Sequence, residues 1–532
     1  MRSANVNTEQ TLPAMALASA RTWGHQVAVI DGEAHLSFQG VADIMVQVAR
    51  GLIARGVQPG DRVAIWAPNA IAWIPVALGV QAAGAWLVPL NTRLLGEEAA
   101  YILAKTDARA LFTVQDFLGV DYQAMLMAQD PNLRALGDVV QLPLPGGLDS
   151  PDLARLLADG SAVEEGEVHR RIAALTGDDI CDIMFTSGTT SMPKGVLLRH
   201  GASLEAYRIF NRSYGMAAGS HCIITTPFFH CFGYKAGWMM ALDHGAVSHP
   251  VAVFDGRTAL AMIQREGITH MGGSPTMFQA MLDDPERDSY DLSSLDSVVI
   301  SATTVPEHLV HRVRDELGVE YAITGYGLTE NHGFVSVNRR GDAPHLIATT
   351  AGRVIDEIEA VVVDDDGDEV EPQEQGELWV KGFMVTPGYY DDPEATAAAI
   401  SDGWLHTGDI VTMNEDRYLR ITDRKKDIYI MGGFNVAPAE VENVIAKMEG
   451  VAQVAVVGAP DPRFGEVGAA FVIPRVAGVL SGEEVIDHCR RRLANYKVPR
   501  HVIFVDAFPL NAMGKVLKRD LRDRIREEQV GA

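Results

Sequence analysis

Cysteine is scarce in this chain. Only Cys181, Cys222, Cys231 and Cys489 are present among 532 residues, and none forms a CxxC pair. That excludes a disulfide-stapled scaffold and leads to the expectation of free thiols in a reducing compartment. Positive charge is also short: 45 Lys and Arg face 70 Asp and Glu, a net charge of −25. Nucleic acid and anionic membranes reward a basic surface, so neither is expected as a partner, although a local basic pocket for a small anion stays open. No apolar run reaches the roughly 18 residues of a spanning helix, so no integral membrane segment is expected. The opening residues 1–13 hold no apolar core of the secretory type, and a cytoplasmic location is expected. With roughly 100–200 residues per domain, the length allows about three or four folding units.

What is present is a rhythm of short apolar runs and amphipathic stretches. Val41, Met45, Val48 and Leu52 repeat at helical spacing. Residues 62–66 read as a strand, a helical pattern runs through Val76, Val80 and Ala83, and residues 86–89 read as another strand. The alternation returns between residues 220 and 329, with strands expected at 222–225, 251–254, 268–272, 297–301 and 321–324 and helices at 260–266 and 306–317. Strand, helix and strand in turn predict parallel βαβ units, so the first two-thirds is expected to be two doubly wound α/β layers. After Gly352 the pattern becomes that of a β-hairpin region or small β-barrel, with residues 360–363 and 377–380 flanking the acidic run 364–368. That run misses the spacing of a calcium loop and is expected to be a solvated turn. A compact α+β unit follows from about Arg424, and the charged run 423–427 is its expected linker.

Four segments carry chemistry. Residues 185–195, Phe-Thr-Ser-Gly-Thr-Thr-Ser-Met-Pro-Lys-Gly, follow an expected strand at 180–184. Small residues let backbone N–H groups converge on an anion, and hydroxyls and an ammonium complete a polyphosphate cradle. The Walker A spacing is absent. Tyr326-Gly327-Leu328-Thr329-Glu330 follows the strand at 321–324, at the strand end where α/β sheets bind ligands. Glu330 is a hard oxygen ligand suited to Mg²⁺ beside phosphates. Asp409, after a glycine turn in Trp404-Leu405-His406-Thr407-Gly408-Asp409, can accept two ribose hydroxyls. Residues 509–515 end in Gly514-Lys515, a lysine on a glycine-hinged loop. Taken singly, the last three also fit a structural turn, an N-cap aspartate and a solvated lysine.

In this order and spacing the four segments, with the 423–427 linker, resemble the adenylate-forming superfamily of acyl-CoA synthetases, firefly-type luciferases and peptide-synthetase adenylation domains. The likeness runs from about Ala28 to Arg522. It implies a large N-terminal domain, residues 1–423, with acyl and ATP sites, and a small mobile lid, residues 424–532. It implies that a carboxylate attacks the α-phosphorus of ATP and that coenzyme A then displaces AMP. By match to the family motifs, Thr186, Ser187, Gly188, Thr189, Thr190 and Lys194 would hold the β- and γ-phosphates. Thr329 would touch the α-phosphate and Glu330 would bind Mg²⁺. Asp409 and Arg424 would hold the ribose, while Thr303, Thr304, Gly325 and Tyr326 would frame the adenine. Lys515 would serve adenylation only, Lys426 would be the hinge, and Gly432, Gly433 and Phe434 would line the pantetheine tunnel after the lid turns. His230 matches an aromatic gate near the acyl carboxylate, with a core histidine as its alternative. Ser191 stands where the loop of the family usually has Gly, and Ala302-Thr303-Thr304 replaces a more Gly-rich segment.

The substrate class narrows in three ways. Residues 228–237 hold no carboxylate to receive an amino-acid ammonium, and no carrier domain is expected after Lys515. Residues 231–238 are mostly apolar and aromatic, which suits a hydrophobic acid. Residues 227–237, 352–353 and 432–436 look most like the fatty-acid and steroid-catabolic acyl-CoA ligases of actinobacteria, some of which take the propanoate side chain of a partly degraded steroid. The expected partners are a small carboxylic acid, ATP and CoA, and a homodimer is allowed. Two rival readings stay open: a luciferase-like or acyl-AMP ligase that releases no free CoA thioester, and a non-catalytic acyl or nucleotide sensor.

Overall fold

The computed structural model describes residues 9–129, 138–186, 193–301, 305–424, 427–431, 434–461, 463–476, 478–510 and 516–530. The run Arg62–Trp66 and the run Trp86–Pro89 are joined by the helix Trp73–Ala82 and lie parallel, with Arg62 opposite Trp86. A parallel pair needs such a crossover. They sit in a six-stranded sheet ordered Asp138–Gln141, Ala110–Thr113, Arg62–Trp66, Trp86–Pro89, Ile180–Thr186 and Lys194–Arg199. Every pair is parallel except the last, which is a hairpin. Every residue of Trp73–Ala82 is buried, as expected of a helix that is apolar all round. It packs on Phe38–Ala54 so closely that a β-carbon at Gly79 would lie 2.6 Å from Val48 Cβ.

The second sheet has nine strands. Its parallel centre is Tyr321–Tyr326, Ser297–Ile300, His270–Gly273, His221–Ile224, Val247–Pro250 and Val27–Asp31 in spatial order, with antiparallel strands at both edges. One expectation needs correcting here. The strand placed at 251–254 is Val247–Pro250 instead, and Val253 beyond it is 52% exposed. Ser248 and His249 are buried between parallel neighbours, so the true strand lacks the apolar signature and the apolar residues 251–254 after it imitate one.

A third, five-stranded antiparallel sheet holds Glu359–Val363, Gln375–Lys381, Trp404–Met413, Ile400–Ser401 and Leu419–Arg424. It stands where a small barrel was expected, and its strand order leaves it open as a half-barrel. The acidic run closes on itself: Asp364 Oδ1 accepts from the Asp366 and Asp368 N–H groups at 2.9 and 3.0 Å. Among the described residues no cluster of three or more His, Cys, Asp or Glu could hold a metal ion by itself.

The chain then changes sheets. Leu419–Arg424 pairs with Trp404–Met413, whereas Tyr429–Met431 pairs with Gly465–Pro474 in a separate five-stranded sheet. With the helices Pro438–Ile445, Gly482–Arg490 and Lys518–Val530, this C-terminal unit builds its own apolar core around Tyr429, Val456, Val467 and Phe471. All four cysteines are free and buried. Among the described residues no helix is long and apolar enough to cross a membrane.

Candidate active site

The phosphate segment is the tip of the hairpin formed by Ile180–Thr186 and Lys194–Arg199, where Thr186 is the register partner of Lys194. The register therefore brings the hydroxyl residue and the ammonium residue to the two sides of one mouth. Ser187, Gly188, Thr189 and Thr190 lie outside the described residues. The half-barrel grips the hairpin from its other side: Leu197 N–H donates to Gly388 O at 3.1 Å and Tyr390 N–H to Gly195 O at 2.7 Å.

This grip delivers Tyr389, which the sequence reading missed. Its hydroxyl donates to Glu330 Oε1 at 2.9 Å, and its ring centroid lies 5.1 Å from Lys194 Nζ. Burial and the Glu330 carboxylate both push the phenol well above its ordinary range, so it stays a donor. One tyrosine thus touches the carboxylate expected to hold a metal and the cation expected to hold phosphate. Thr329 and Glu330 sit on one short helical turn, Thr329–Asn331, beyond the strand Tyr321–Tyr326. The turn is fastened by Thr386 N–H donating to Glu330 O at 2.8 Å. His332 follows with φ of +59°, donates from Nδ1 to Met384 O at 2.7 Å and accepts at Nε2 from Arg199 N–H at 3.1 Å. It fastens the end of the hairpin to the turn that carries Thr329 and Glu330, and the sequence reading missed it too.

Asp409 needs a correction of context. It is not on a turn but on the long strand Trp404–Met413, in a bulge where Leu378 is bracketed by the pairs Glu377↔Ile410 and Trp379↔His406. Gly408 supplies the bulge with φ of +68°. Asp409 is buried, its Oδ2 accepts from Tyr326 OH at 2.6 Å, and its register partner is Arg424. The ribose and adenine candidates Asp409, Arg424, Tyr326 and Gly325 therefore come together. Thr303, Thr304, Lys426, Gly432, Gly433 and Lys515 lie outside the described residues, and the side chains of Arg424 and Phe434 are not described.

The acyl candidate segment divides by face. Phe232, Ala236 and Gly237 line an apolar slot together with Phe210, Ile224 and Gly272. Tyr234, Lys235 and Trp238 turn away into the core. The apolar and aromatic residues expected in 231–238 are thus shared between the slot and the core. Both glycines are close-packed: a β-carbon at Gly237 would lie 2.9 Å from Ile224, and one at Gly272 would lie 2.9 Å from Phe232, so each lets a neighbouring side chain approach the backbone. His230 caps the start of this segment, its Nδ1 accepting from Phe232 N–H at 3.2 Å.

The AMP-binding enzyme family matches residues 17–390, and the AMP-binding enzyme C-terminal domain matches residues 440–515. The chain belongs to the AMP-binding enzyme family. A Rhodococcus jostii (strain RHA1) member, 3-[(3aS,4S,7aS)-7a-methyl-1,5-dioxo-octahydro-1H-inden-4-yl]propanoyl:CoA ligase, is 43% identical over 523 residues, 97% of this chain and 99% of the relative. The ligase of the same name from Mycobacterium tuberculosis (strain ATCC 25618 / H37Rv) is 44% identical over 519 residues, 97% of this chain and 99% of the relative. Among solved structures, the anthranilate CoA ligase AuaEII in complex with anthranoyl-AMP superposes with a TM-score of 0.87 at 25% identity, covering 100% of both chains.

This AMP-binding enzyme keeps several imidazoles neutral. Burial lowers His200 from 6.5 to about 4, His230 to about 4 and His332 to about 3. The unfolded chain takes up protons below about 6.5 that the folded chain refuses, so stability declines as the pH falls from 6.5 to about 4. Urea denaturation across that window is expected to show a steadily falling midpoint; a flat midpoint would contradict neutral burial of these rings.

Proposed function

We propose that this chain activates a hydrophobic propanoate borne on a fused ring pair, through an acyl-adenylate, to its CoA thioester. The observation that carries this reading is the apolar slot between Phe232, Gly237, Ile224 and Gly272, one wall of which begins at His230. The ring-bearing propanoate in the names of the two ligases that share 43–44% of their residues with this chain supports the choice of a fused ring pair. As an AMP-binding enzyme of this kind the protein is an AMP-forming acid–thiol ligase, and ATP and CoA are its co-substrates.

A carboxylate oxygen attacks the α-phosphorus and the bond to the β-phosphate oxygen breaks, releasing pyrophosphate. The CoA thiolate then attacks the acyl carbon, and AMP leaves. In this reading Thr186, Lys194 and residues 187–190 hold the β- and γ-phosphates, and Thr329 meets the α-phosphate. Glu330 would hold Mg²⁺ together with phosphate oxygens, which suits an ion that binds through one or two carboxylates plus substrate phosphates and neutralises charge there. Asp409 and Arg424 take the ribose, and Thr303, Thr304, Gly325 and Tyr326 frame the adenine. His230 accepts at Nδ1, so its proton is on Nε2 and it meets the acyl carboxylate as a neutral donor. The lid would begin at Arg424, Lys426 would be its hinge, Lys515 would serve adenylation, and Gly432, Gly433 and Phe434 would serve the thiol step. The four buried free thiols support a reducing, cytoplasmic setting.

Steady-state CoA-thioester formation over a panel of linear, aromatic and fused-ring propanoates tests the substrate. The octahydroindene-dione propanoate is expected to give the highest kcat/KM, and a linear acid ahead of it by about tenfold would overturn the ring assignment while leaving the ligase chemistry intact. Lys515→Ala is expected to slow adenylation by at least about 10²–10³ and to leave thioester formation from preformed acyl-AMP nearly unchanged. Equal loss in both half-reactions would contradict a lid with two working faces.

A further inference from the structure

Behind the acyl slot, Lys235 and Asp182 form an ion pair whose side chains are both 0% exposed. Asp182 stands on Ile180–Thr186, four residues before the phosphate mouth. Lys235 stands on Tyr234–Met239, a widened helical turn interrupted at Gly237, where φ is −91° and ψ is −109°. The next two residues, Ala236 and Gly237, line the slot. One pair therefore joins the strand that carries the phosphate loop to the wall that receives the acid.

The pair is fully provided for. Asp182 Oδ1 accepts from Gln81 Nε2 at 2.9 Å and from Tyr234 OH at 3.1 Å. Oδ2 accepts from Lys235 Nζ and from Cys181 Sγ–H at 3.0 Å. Lys235 Nζ also lies 4.0 Å from the Tyr234 ring centroid, and Tyr234 stacks on Trp238 at 4.5 Å. Burial alone would lower the Lys235 ammonium, but the charge and hydrogen bond of the Asp182 carboxylate outweigh it and hold the group above its ordinary value. Stability does not account for such an arrangement, because a well-packed apolar pair of similar volume does as well or better. What an ion pair adds is a single register. A helical turn already loosened at Gly237 could rotate, and only one rotation brings Lys235 to Asp182 and leaves Ala236 and Gly237 facing the slot.

We propose that Lys235 and Asp182 are positioning residues: their pair locks the acyl wall to the phosphate strand and so fixes the acid's carboxylate relative to the phosphates. Neither side chain reaches the slot, so the effect passes through Ala236, Gly237 and Phe232 and falls on acid recognition.

Because this rests on the ligase reading above, the wild-type enzyme is assayed first; failure to form an adenylate from any acid would end that reading before variants are compared. The double variant Lys235→Met/Asp182→Leu removes both charges, and because Gln81 Nε2 and Tyr234 OH lose an acceptor it is expected to melt somewhat below the wild type while staying folded. Its KM for the fused-ring propanoate should rise, and its preference for that acid over a linear acid of equal carbon number should fall, by about tenfold, a size that a displacement of about 1 Å can produce. Its KM for ATP should change less than threefold. Lys235→Arg, which keeps the pair, should recover most of the preference. A folded double variant with wild-type KM and preference would overturn the proposal. If the double variant does not fold, Asp182→Glu carries the test: it keeps both charges but lengthens the link by one methylene. That variant should raise KM for the acid at least threefold with KM for ATP unchanged, and an unchanged KM for the acid would overturn the proposal.

Discussion

The antiparallel register between Ile180–Thr186 and Lys194–Arg199 is the constraint on which the remaining geometry depends. It sets Thr186 against Lys194 at the open end of the six-stranded sheet. Shifting such a pairing by one residue would send every side chain to the opposite face. The hairpin is gripped on three sides. Trp86–Pro89 pairs with it in parallel through Leu87 and Asp182, the half-barrel bonds to Gly195 and Leu197, and the His332 ring accepts from Arg199 N–H. Two of these grips also bring a candidate site residue: Tyr389 arrives with the half-barrel, and Glu330 with the turn that His332 follows.

Electrostatics act locally within a strongly acidic protein. A net charge of −25 would repel a nucleotide at long range, so the phosphate role proposed for Thr186 and Lys194 has to act at short range. Tyr389 links the two candidates of opposite charge: its OH donates to the Glu330 carboxylate, and its ring lies beside Lys194 Nζ. The buried imidazoles follow the same economy of charge. His332 joins two backbone groups as a neutral ring, which a protonated ring could not do because it has no acceptor.

Much of the fold was legible in the sequence. Arg62–Trp66 and Trp86–Pro89 stand where the apolar runs placed them, because a strand buried on both faces must be apolar throughout. Val247–Pro250 was misplaced because Ser248 and His249 are buried in it. The Asp409 motif was visible, but its bulge is set by pairing with Glu377 and Trp379, about thirty residues away, which local pattern does not carry. Tyr389 and His332 act through partners 59 and 52 residues distant and have no local signature. Lys235 and Asp182 did leave one: each is a lone charge in an otherwise apolar run, and two lone opposite charges in separate apolar runs are a reason to look for a buried pair.

The central claim is that acid and ATP meet at this hairpin and react before CoA takes part. A single-turnover experiment mixing the enzyme with ATP, Mg²⁺ and the fused-ring propanoate, without CoA, tests it most directly. Pyrophosphate should appear in one equivalent per active site while acyl-AMP stays bound, and added CoA should then release AMP and thioester together. Pyrophosphate that appears only after CoA is added, or ADP and phosphate in its place, would contradict the account.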